Sequence, residues 1–464
     1  MLSRNSTILR AAQATGITML AVVLVLTLCP VLWAEDVNVN VGVGGGGAAF
    51  TRAVGGISVD AKGMLDSAAV DSMGTLSRLR GGSLEKIPAE LNEVVPLRKV
   101  SLRRLEAAIE ECTRDNKPLP DPIKYLGGLQ RIRYVFVYPE ERDIVLVGPG
   151  EGWKVDGQGN VVGITTGRPA MLLEDLLVAL RTARQAANGG ITCSINPTPE
   201  GLAQFTTYMS QFRTMGNPIV IAAGAEKAMG PQNITLTNVP PTSHFARVLV
   251  AADYRMKRLG MGFEEAPVRG LPSFLTMVKS TGTLLPRWWL EPNYEPLLKS
   301  PDGLAWELRG ASVKVLTEED FVTANGNVSH SGKAHPMAQK WADNMTERYD
   351  ELAVALPIFG ELRNCMELAI VGALVAKERL TDKAGYSMPV LLDPVQVKTD
   401  EFPAPKQVDS KVSMLKKGRA WVISASGGVA LNSWGIAEKA RQSDAPAAVR
   451  TKVTPGQNST WWWN

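Results

Sequence analysis

Histidine is scarce in this 464-residue chain, and the residue patterns that build metal or catalytic centres are missing. The three histidines, His244, His330 and His335, are not spaced as helical metal ligands, and no Cys-x-x-Cys pair occurs. The nucleophile motif Gly-x-Ser-x-Gly is absent, as is the phosphate-binding P-loop with its lysine followed by Ser or Thr. We therefore expect no metal and no cofactor, and the sequence favours a protein that is not an enzyme.

The chain also has no large excess of either charge and no long apolar run. Its 50 basic and 46 acidic residues give a formal net charge of +4, which does not indicate a nucleic-acid partner. Residues 1–34 carry Arg4, Arg10 and the apolar run 17–28, the layout of an export signal. Because this run is shorter than the roughly 20 residues of a membrane span, we expect none after processing. An uncleaved anchor stays as the alternative.

Cysteine is rare as well, which argues against a disulfide scaffold. Of four cysteines, Cys29 would leave with the signal, and Cys112, Cys193 and Cys365 would remain. With an odd number, at least one is unpaired within the chain. All three lie among apolar neighbours, so buried reduced thiols are the preferred interpretation over a disulfide or a nucleophile.

Strand and helix patterns alternate through residues 95–282, which predicts an α+β fold with a mixed sheet. Changes in composition divide the whole chain into seven parts. These are an export signal (1–34), a Gly-rich lead with a hairpin (35–94), a mixed α/β domain (95–282), a β-rich segment with a helical hairpin (283–380), a Pro/Lys/Asp linker (381–416), a C-terminal hairpin (417–436) and a tail expected to be disordered (437–464). Within the helical hairpin, Pro357 is expected to separate the two helices.

A frame of glycines with an Asp or Asn recurs at residues 55–63, 155–159 and 427–435. Asp or Asn at the first position of a turn and Gly at the fourth suit a type I turn between two strands. The pattern predicts three hairpins, of which the outer two would pair with each other. In a glycine-rich chain, coincidence is the alternative for so short a pattern.

The stretch 244–260 is the clearest amphipathic helix. Thr242 or Ser243 can cap its start, and Gly260 is expected to end it in the left-handed conformation. One arc of about 100° contains the apolar residues of a core-facing stripe. These are Phe245, Val248, Leu249, Ala252, Met256 and Leu259.

Basic residues gather on the flank beside that stripe, whereas Asp253 and Lys257 form an i,i+4 pair on the opposite side. The flank consists of His244, Arg247, Arg255 and Arg258. Guanidinium groups on one rigid face can recognise planar oxyanions, which predicts an anion or carboxylate-sugar site. The preferred interpretation is a set of ion pairs to acids of the same fold, since most charged helix flanks are solvated or internally paired.

A glycine-dense loop at residues 148–163 carries two further candidate binding residues, Glu151 and Trp153. Glycines around Glu151 permit close approach of a ligand, and the Trp153 ring offers a stacking surface. A plain surface turn is the preferred interpretation. A hydrolase reading pairs Glu151 with Asp156 or Asp253 as the two carboxylates of polysaccharide or peptide hydrolysis.

Several runs of the chain resemble an uncharacterised domain family of secreted planctomycetal proteins. They include YLGGLQRIRYVFVYPEERDIVLVGPGEGW, LEDLLVALR, CSINPTPEGL, SHFARVLVAADYRMKRLGMG, RWW and DGLAWELRG, within residues 55–380. The resemblance implies export and a family without an assigned biochemical role, and it brings no catalytic residues. The function expected is a non-enzymatic binding or structural module of the cell envelope, periplasmic or secreted, with an anionic or carbohydrate envelope component as partner.

Overall fold

The computed structural model describes residues 54–453, except residues 55, 61, 68–74, 213–216, 279–282, 285, 323–327, 331, 415–420 and 423–425. The described residues belong to one compact unit. The expected export signal, the start of the Gly-rich lead and the last eleven residues of the expected tail, 454–464, lie outside them.

Short strands occur along the whole described chain. In chain order they are β1 (Ile57–Val59), β2 (Met64–Ser67), β3 (Val95–Ser101), β4 (Tyr134–Tyr138), β5 (Asp143–Gly150), β6 (Trp153–Val155), β7 (Val161–Gly163), β8 (Ile191–Pro197), β9 (Gln232–Thr237), β10 (Thr283–Leu284), β11 (Pro286–Tyr294), β12 (Leu298–Lys299), β13 (Ala305–Glu307), β14 (Gly310–Val322), β15 (Val328–His330), β16 (Gln407–Val408), β17 (Ser413–Met414), β18 (Trp421–Val422), β19 (Ser426–Leu431) and β20 (Arg441–Gln442).

Helices of very different length alternate with these strands. They are α1 (Thr75–Ser83), α2 (Ala89–Asn92), α3 (Leu102–Arg114), α4 (Asp121–Lys124), α5 (Leu173–Thr182), α6 (Pro199–Ser210), α7 (Pro218–Met229), α8 (His244–Gly260), α9 (Phe274–Met277), α10 (Pro336–Glu347), α11 (Tyr349–Ala355), α12 (Pro357–Lys377), α13 (Leu380–Ala384), α14 (Ser433–Glu438) and α15 (Ala445–Lys452). Two 3-10 turns, Leu126–Gly128 and Gln185–Ala187, join them.

The largest sheet has nine strands in the order β1-β2-β16-β9-β8-β19-β11-β14-β15. Its inner strand β19 runs antiparallel to β8, with Val429 opposite Cys193, and parallel to β11, with Leu290 opposite Val429. A second sheet has six strands in the order β20-β12-β13-β4-β5-β3. Both sheets mix parallel and antiparallel pairs, so the predicted α+β fold with mixed sheets is confirmed.

The core is organised around α12, which is buried along nearly its whole length. As the sequence predicts, Pro357 separates it from the preceding helices, because proline is tolerated at the first turn but not inside a helix. It packs against α5, α8, α11 and α14. Polar residues Arg363, Asn364 and Glu367 lie on this buried helix.

Two of the three predicted hairpins are present. Strands β1 and β2 pair across the first glycine frame, and β6 and β7 across the second. The third, expected within 417–436, is wrong: the Asn432 side chain accepts from Gly435 N at 2.8 Å and caps α14, so this asparagine begins a helix. The outer frames also do not pair, because β19 lies between β8 and β11.

The expected tail is partly ordered. Residues 441–452 contain β20 and α15. The prediction of disorder for this part of the tail is therefore wrong. Strand β20 pairs with β12, and the Tyr138 hydroxyl donates to the Arg450 carbonyl at 3.1 Å. Contacts with distant strands thus order a segment whose own sequence is polar. The predicted domain boundaries do not coincide with sheet boundaries, since the nine-stranded sheet takes strands from both ends of the described chain.

Candidate functional site

Helix α8 begins and ends for identifiable reasons. Ser243 is its capping residue, with its hydroxyl accepting from Ala246 N at 3.1 Å. The helix runs through Gly260, and Gly262 adopts the positive φ of +70° instead. The expectation for Gly260 is therefore corrected: a Cβ there would lie 2.7 Å from the Trp288 ring, so this glycine permits close packing.

The predicted core-facing stripe of α8 is fully buried, but so is most of the rest of the helix. Its N-terminal basic residues, His244 and Arg247, are buried, and so are Asp253 and Lys257 on the opposite side. Only Tyr254, Arg255 and Arg258 are half-buried. The reason is the location of α8 between the nine-stranded sheet and α12.

His244 forms a buried ion pair with Asp175 of α5. Its Nδ1 lies 3.0 Å from both carboxylate oxygens. Burial lowers the pKa of His244, but the charge and hydrogen bond of Asp175 outweigh it and raise the pKa to about 9. The imidazolium and carboxylate hold α8 against α5, and His244 is 4% exposed, so neither faces solvent.

Arg247 lies one turn further along α8 and has a different environment. Its Nε is buried without a hydrogen-bond partner, and burial lowers the pKa of the guanidinium. Its residue surface is 9% exposed. Arg247 is therefore not placed on an open basic surface.

Arg255 and Arg258 share one acidic partner, Glu264, in the loop after the helix. Arg255 forms an ion pair with it, and Arg258 Nε lies 3.6 Å from Glu264 Oε2. The two side chains keep 21% and 28% exposure. His244 and Arg258 are separated by about 21 Å along the helix axis, so the four basic residues do not converge on one small ligand.

Glu151 is buried rather than exposed in a surface turn. Its carboxylate accepts from Gln130 Nε2 at 2.7 Å, Thr165 N at 2.8 Å and Thr166 N at 2.9 Å, and from the Thr166 hydroxyl. Burial raises the pKa of Glu151, but these hydrogen bonds outweigh it and lower the pKa to about 2. Glu151 is therefore an ionised carboxylate that fixes the backbone at residues 165–166.

The depressed pKa of Glu151 predicts an acid-dependent loss of stability. Its contribution is present above the ordinary pKa of 4.5 and is lost as the pH falls through about 2. Glu151→Gln lacks this titration, so its unfolding free energy should be lower than that of wild type at pH values above 4.5. This difference should shrink by about 2 kcal/mol as the pH falls from 4.5 to about 2. Urea unfolding at several pH values measures it, with the exposed Glu110→Gln as control. A deficit that does not change with pH would contradict the assignment.

Trp153 and the carboxylates proposed for hydrolysis are also internal or self-paired. The Trp153 ring is 2% exposed and packs edge-on against Tyr125 at 5.6 Å. Asp156 accepts from Gln158 N and Asn160 N at 2.8 Å and so closes its own turn. Asp253 pairs with Lys257. Among the described residues, no hydrogen bond or ion pair joins Glu151 to Asp156, to Asp253 or to the basic flank.

An open groove lies beside the C-terminal half of α8 and includes Arg258. Its charged and aromatic lining consists of Tyr254, Lys257, Arg258, Phe263, Asp409 and Lys411. Phe263 is 38% exposed, and Lys411 has a side chain that is 56% exposed, 4.0 Å from Glu226. We call this the α8 groove. Each of its three cations has an acidic partner in Asp253, Glu264 or Glu226, but the contacts of Arg258 and Lys411 are long, at 3.6 and 4.0 Å.

The base of the α8 groove is fixed by Lys257. Its ammonium donates to Asp253 Oδ2 at 2.9 Å and to the Ile195 carbonyl at 3.0 Å. Burial raises the pKa of Asp253, with Lys257 opposing it, and raises the pKa of the nearby Cys193 thiol. An engaged ammonium and a protonated thiol are poor nucleophiles, so the groove is suited to binding.

A second cavity, lined among others by Lys124, Glu174, Lys398 and Asp400, has balanced charges and no electrostatic preference for an anion. Within residues 54–453, where described, no three His, Cys, Asp or Glu side chains converge as a metal site. None of the helices described is both long and apolar enough to cross a membrane. Cys112, Cys193 and Cys365 are free thiols.

Sequence reasoning missed part of the α8 groove. The sequence predicts only an ion pair for Lys257, and it places Asp409 and Lys411 in a linker. Nothing local marks these last two, because their position depends on β16 pairing with β9, some 170 residues earlier in the chain. Tyr254 and Phe263 carried a usable signal: both are aromatic residues adjacent to the basic flank.

Comparison with known proteins identifies one part of the chain. No curated protein and no solved structure matches it. The match to a family model covers less than the resemblance seen over 55–380, and the planctomycetal relationship stays a prediction. Residues 193–274, which include α8 and Tyr254, Lys257, Arg258 and Phe263 of the groove, match the model described as "Protein of unknown function (DUF1598)", so the chain contains a DUF1598 domain.

Proposed function

We propose that the chain is an exported, non-enzymatic binding module of the cell envelope, and that the α8 groove binds a carboxylate-bearing carbohydrate of that envelope. The observation that carries this proposal is the groove itself, where Arg258, Lys257 and Lys411 lie beside the rings of Tyr254 and Phe263. A cleft with convergent polar groups and aromatic walls is the usual form of a small-ligand site.

The chemistry of these residues supports an acidic sugar. Exposed Lys411 and half-buried Arg258 supply charged donors for a carboxylate, and such hydrogen bonds are roughly twice as strong as neutral ones. The Phe263 ring offers an apolar surface for the face of a sugar ring. Arg258 is preorganised, because it lies 5.5 Å from the centre of the Tyr254 ring and 3.6 Å from Glu264.

A direct binding measurement tests the groove. With a uronic-acid oligosaccharide as probe, the double variant Arg258→Gln and Lys411→Gln should raise the Kd about tenfold, since one good charge-assisted contact is lost. A neutral oligosaccharide of equal length should bind more weakly to wild type. Isothermal titration calorimetry reports both values.

A charge-matched control separates local contacts from net charge. The double variant Arg114→Gln and Lys398→Gln removes two exposed cations outside the groove lining and should leave the Kd within about twofold. Equal Kd values for wild type and the groove variant, with both folded, would exclude the α8 groove as the contact. An equal loss in the control variant would do the same.

Export is the part of the proposal that rests on residues 1–34 alone. The run 17–28 after Arg4 and Arg10 supports translocation of the chain. Fractionation of cells that express the full chain tests it. Recovery from the cytoplasm alone would contradict export, whereas recovery with the membrane and an intact N-terminus would support the uncleaved anchor.

The alternative proposal, a hydrolase with paired carboxylates, has weaker support. Glu151 is buried and engaged by four donors, and Asp253 is fully buried against Lys257. Hydrolysis of a glycosidic bond requires one acid and one base about 5 to 10 Å apart around the bond. Release of reducing sugar by the wild type, with loss in Glu151→Gln, would revive this alternative.

A further inference from the structure

A second cluster of charged side chains lies in the core, where α12 meets the segment 129–133 between the 3-10 turn Leu126–Gly128 and β4. Glu367 of α12 is fully buried and accepts from Arg131 Nε at 2.8 Å, from Ile132 N at 2.7 Å and from the Tyr294 hydroxyl at 3.1 Å. This carboxylate is therefore fully hydrogen-bonded. A neighbouring arginine of the cluster is not.

Arg363, one turn before Glu367, carries two N–H donor groups that have no acceptor within the described part of the chain. The residue is 0% exposed, and its Nη1 reaches Asp350 Oδ1 at 3.4 Å, a long contact to a side chain that is 56% exposed. Its Nε and Nη2 are buried without a hydrogen-bond partner. These two nitrogens form one edge of the guanidinium plane, the fork that holds two oxygens of a carboxylate or phosphate.

A second arginine, Arg168, lies in the loop after β7, next to Pro169, whose carbonyl contacts α12. Its charge, like that of Arg131, lowers the pKa of Arg363, after the larger effect of burial. Among the described residues the Arg168 guanidinium has no ion-pair partner, and the residue is half-buried. Asn364 Nδ2 donates to the Pro169 carbonyl at 3.0 Å, so this loop is fixed against α12.

The loop that carries Arg168 is held from its other side by Glu151. That carboxylate accepts from the backbone of Thr165 and Thr166, and Thr166 Oγ1 in turn accepts from Arg168 N at 3.3 Å. A rigid loop and a buried helix thus present two guanidinium groups with fixed backbones. Preorganised donors of this kind lose little entropy on binding.

We propose that Arg363 and Arg168 bind a small oxyanion, a carboxylate or phosphate group, between α11 and the loop 164–169, at the Nε–Nη2 edge of Arg363 that has no partner among the described residues. The Arg363 fork supplies two parallel hydrogen bonds, and Arg168 supplies a second charge. Asp350 contacts Nη1, which is not part of that edge, so its negative charge opposes the bound anion without occupying its position. This site is separate from the α8 groove, with which it shares no residue.

The test uses the full chain with inorganic phosphate and with acetate as separate probes, and chloride at equal ionic strength as the reference. Either oxyanion should raise the thermal unfolding midpoint above that in chloride, because binding to the native state alone stabilises it. A phosphate response that saturates with concentration assigns a free phosphate, whereas one that rises without saturation is the general stabilising effect of this salt and counts against the site. A saturating response to acetate indicates the carboxylate of a larger ligand. No response beyond chloride to either probe overturns the proposal.

Two variants locate the response without altering buried Arg363, whose replacement could prevent folding. Arg168→Gln should raise the Kd for the responding oxyanion about tenfold, and Asp350→Asn should lower it about threefold because a neighbouring negative charge is gone. The groove variant Arg258→Gln with Lys411→Gln should leave it unchanged. A Kd insensitive to Arg168 and Asp350, or one that changes only in the groove variant, overturns the site.

Discussion

Replacement of Glu367 by alanine is expected to lower the free energy of unfolding by about 3–5 kcal/mol, the cost of removing one partner from a buried ion pair. The substitution leaves Arg131 Nε, Ile132 N and the Tyr294 hydroxyl without their acceptor. It also removes the carboxylate whose charge offsets the burial of Arg363. The cavity that the shortened side chain leaves beside α12 lowers the free energy of unfolding further.

Denaturant unfolding monitored by tryptophan fluorescence measures this effect. The matched control is Glu111→Ala, which removes an exposed carboxylate from α3 and should change stability by less than about 0.5 kcal/mol. A loss below about 1 kcal/mol in Glu367→Ala would show that its hydrogen bonds are replaced by solvent. The central role of this carboxylate in the core would then be wrong.

Replacement of Gly427 by alanine is expected to destabilise the nine-stranded sheet by at least about 3 kcal/mol, the sum of backbone strain and overpacking. Gly427 has a φ of +128°, and a Cβ there would lie 1.6 Å from the Trp288 carbonyl oxygen. Strand β19 cannot move away freely, because β8 borders its other side. The strand must shift or its pairing with β11 must break.

This substitution should also affect the α8 groove. Lys257 Nζ, at the base of the groove, lies 3.5 Å from the Gly427 carbonyl, so a shifted β19 moves an acceptor of this ammonium. The control is Gly157→Ala, where an added Cβ meets nothing within 4 Å. Thermal unfolding of both variants is the measurement, and equal midpoints for the two would contradict the close approach of β19 and β11.

Local sequence predicted the elements well where one helix or one turn decides the outcome. Ser243 caps α8 as one of the two residues foreseen, and its apolar stripe is buried. Pro357 begins α12, and the first two glycine frames are hairpins. Each of these features depends on neighbours within a few residues, which periodicity and capping chemistry report.

The features that the sequence did not reveal depend on distant pairing. Cys193 lies opposite Val429 and Gln232 opposite Val408, and no local pattern encodes such registers. For the same reason the DUF1598 domain is not a separate sheet, since β8 and β9 within it pair with β19 and β16 outside it. Polar Asn432 looked like a turn residue and proved to be a helix cap.

The candidate site shows the same division. Helical geometry correctly placed Arg255 and Arg258 close together, but their shared partner Glu264 lies in a loop that periodicity does not locate. Conversely, Arg363 and Glu367 stand at i and i+4 in a helix whose residues are mostly apolar. Charges at that spacing within an apolar run are a readable signal of a buried polar cluster.

The place of β19 in the nine-stranded sheet has a consequence for how the protein is made. Its flanking strands β8 and β11 are synthesised more than 130 residues before it, and no strand joins them until residues 426–431 are synthesised. Loop closure over such lengths makes folding slow. A nascent chain on the ribosome would therefore carry two separate parts of this sheet with exposed strand edges. Any chaperone that keeps those edges apart would act before β19, the last strand of this sheet along the sequence, is translated.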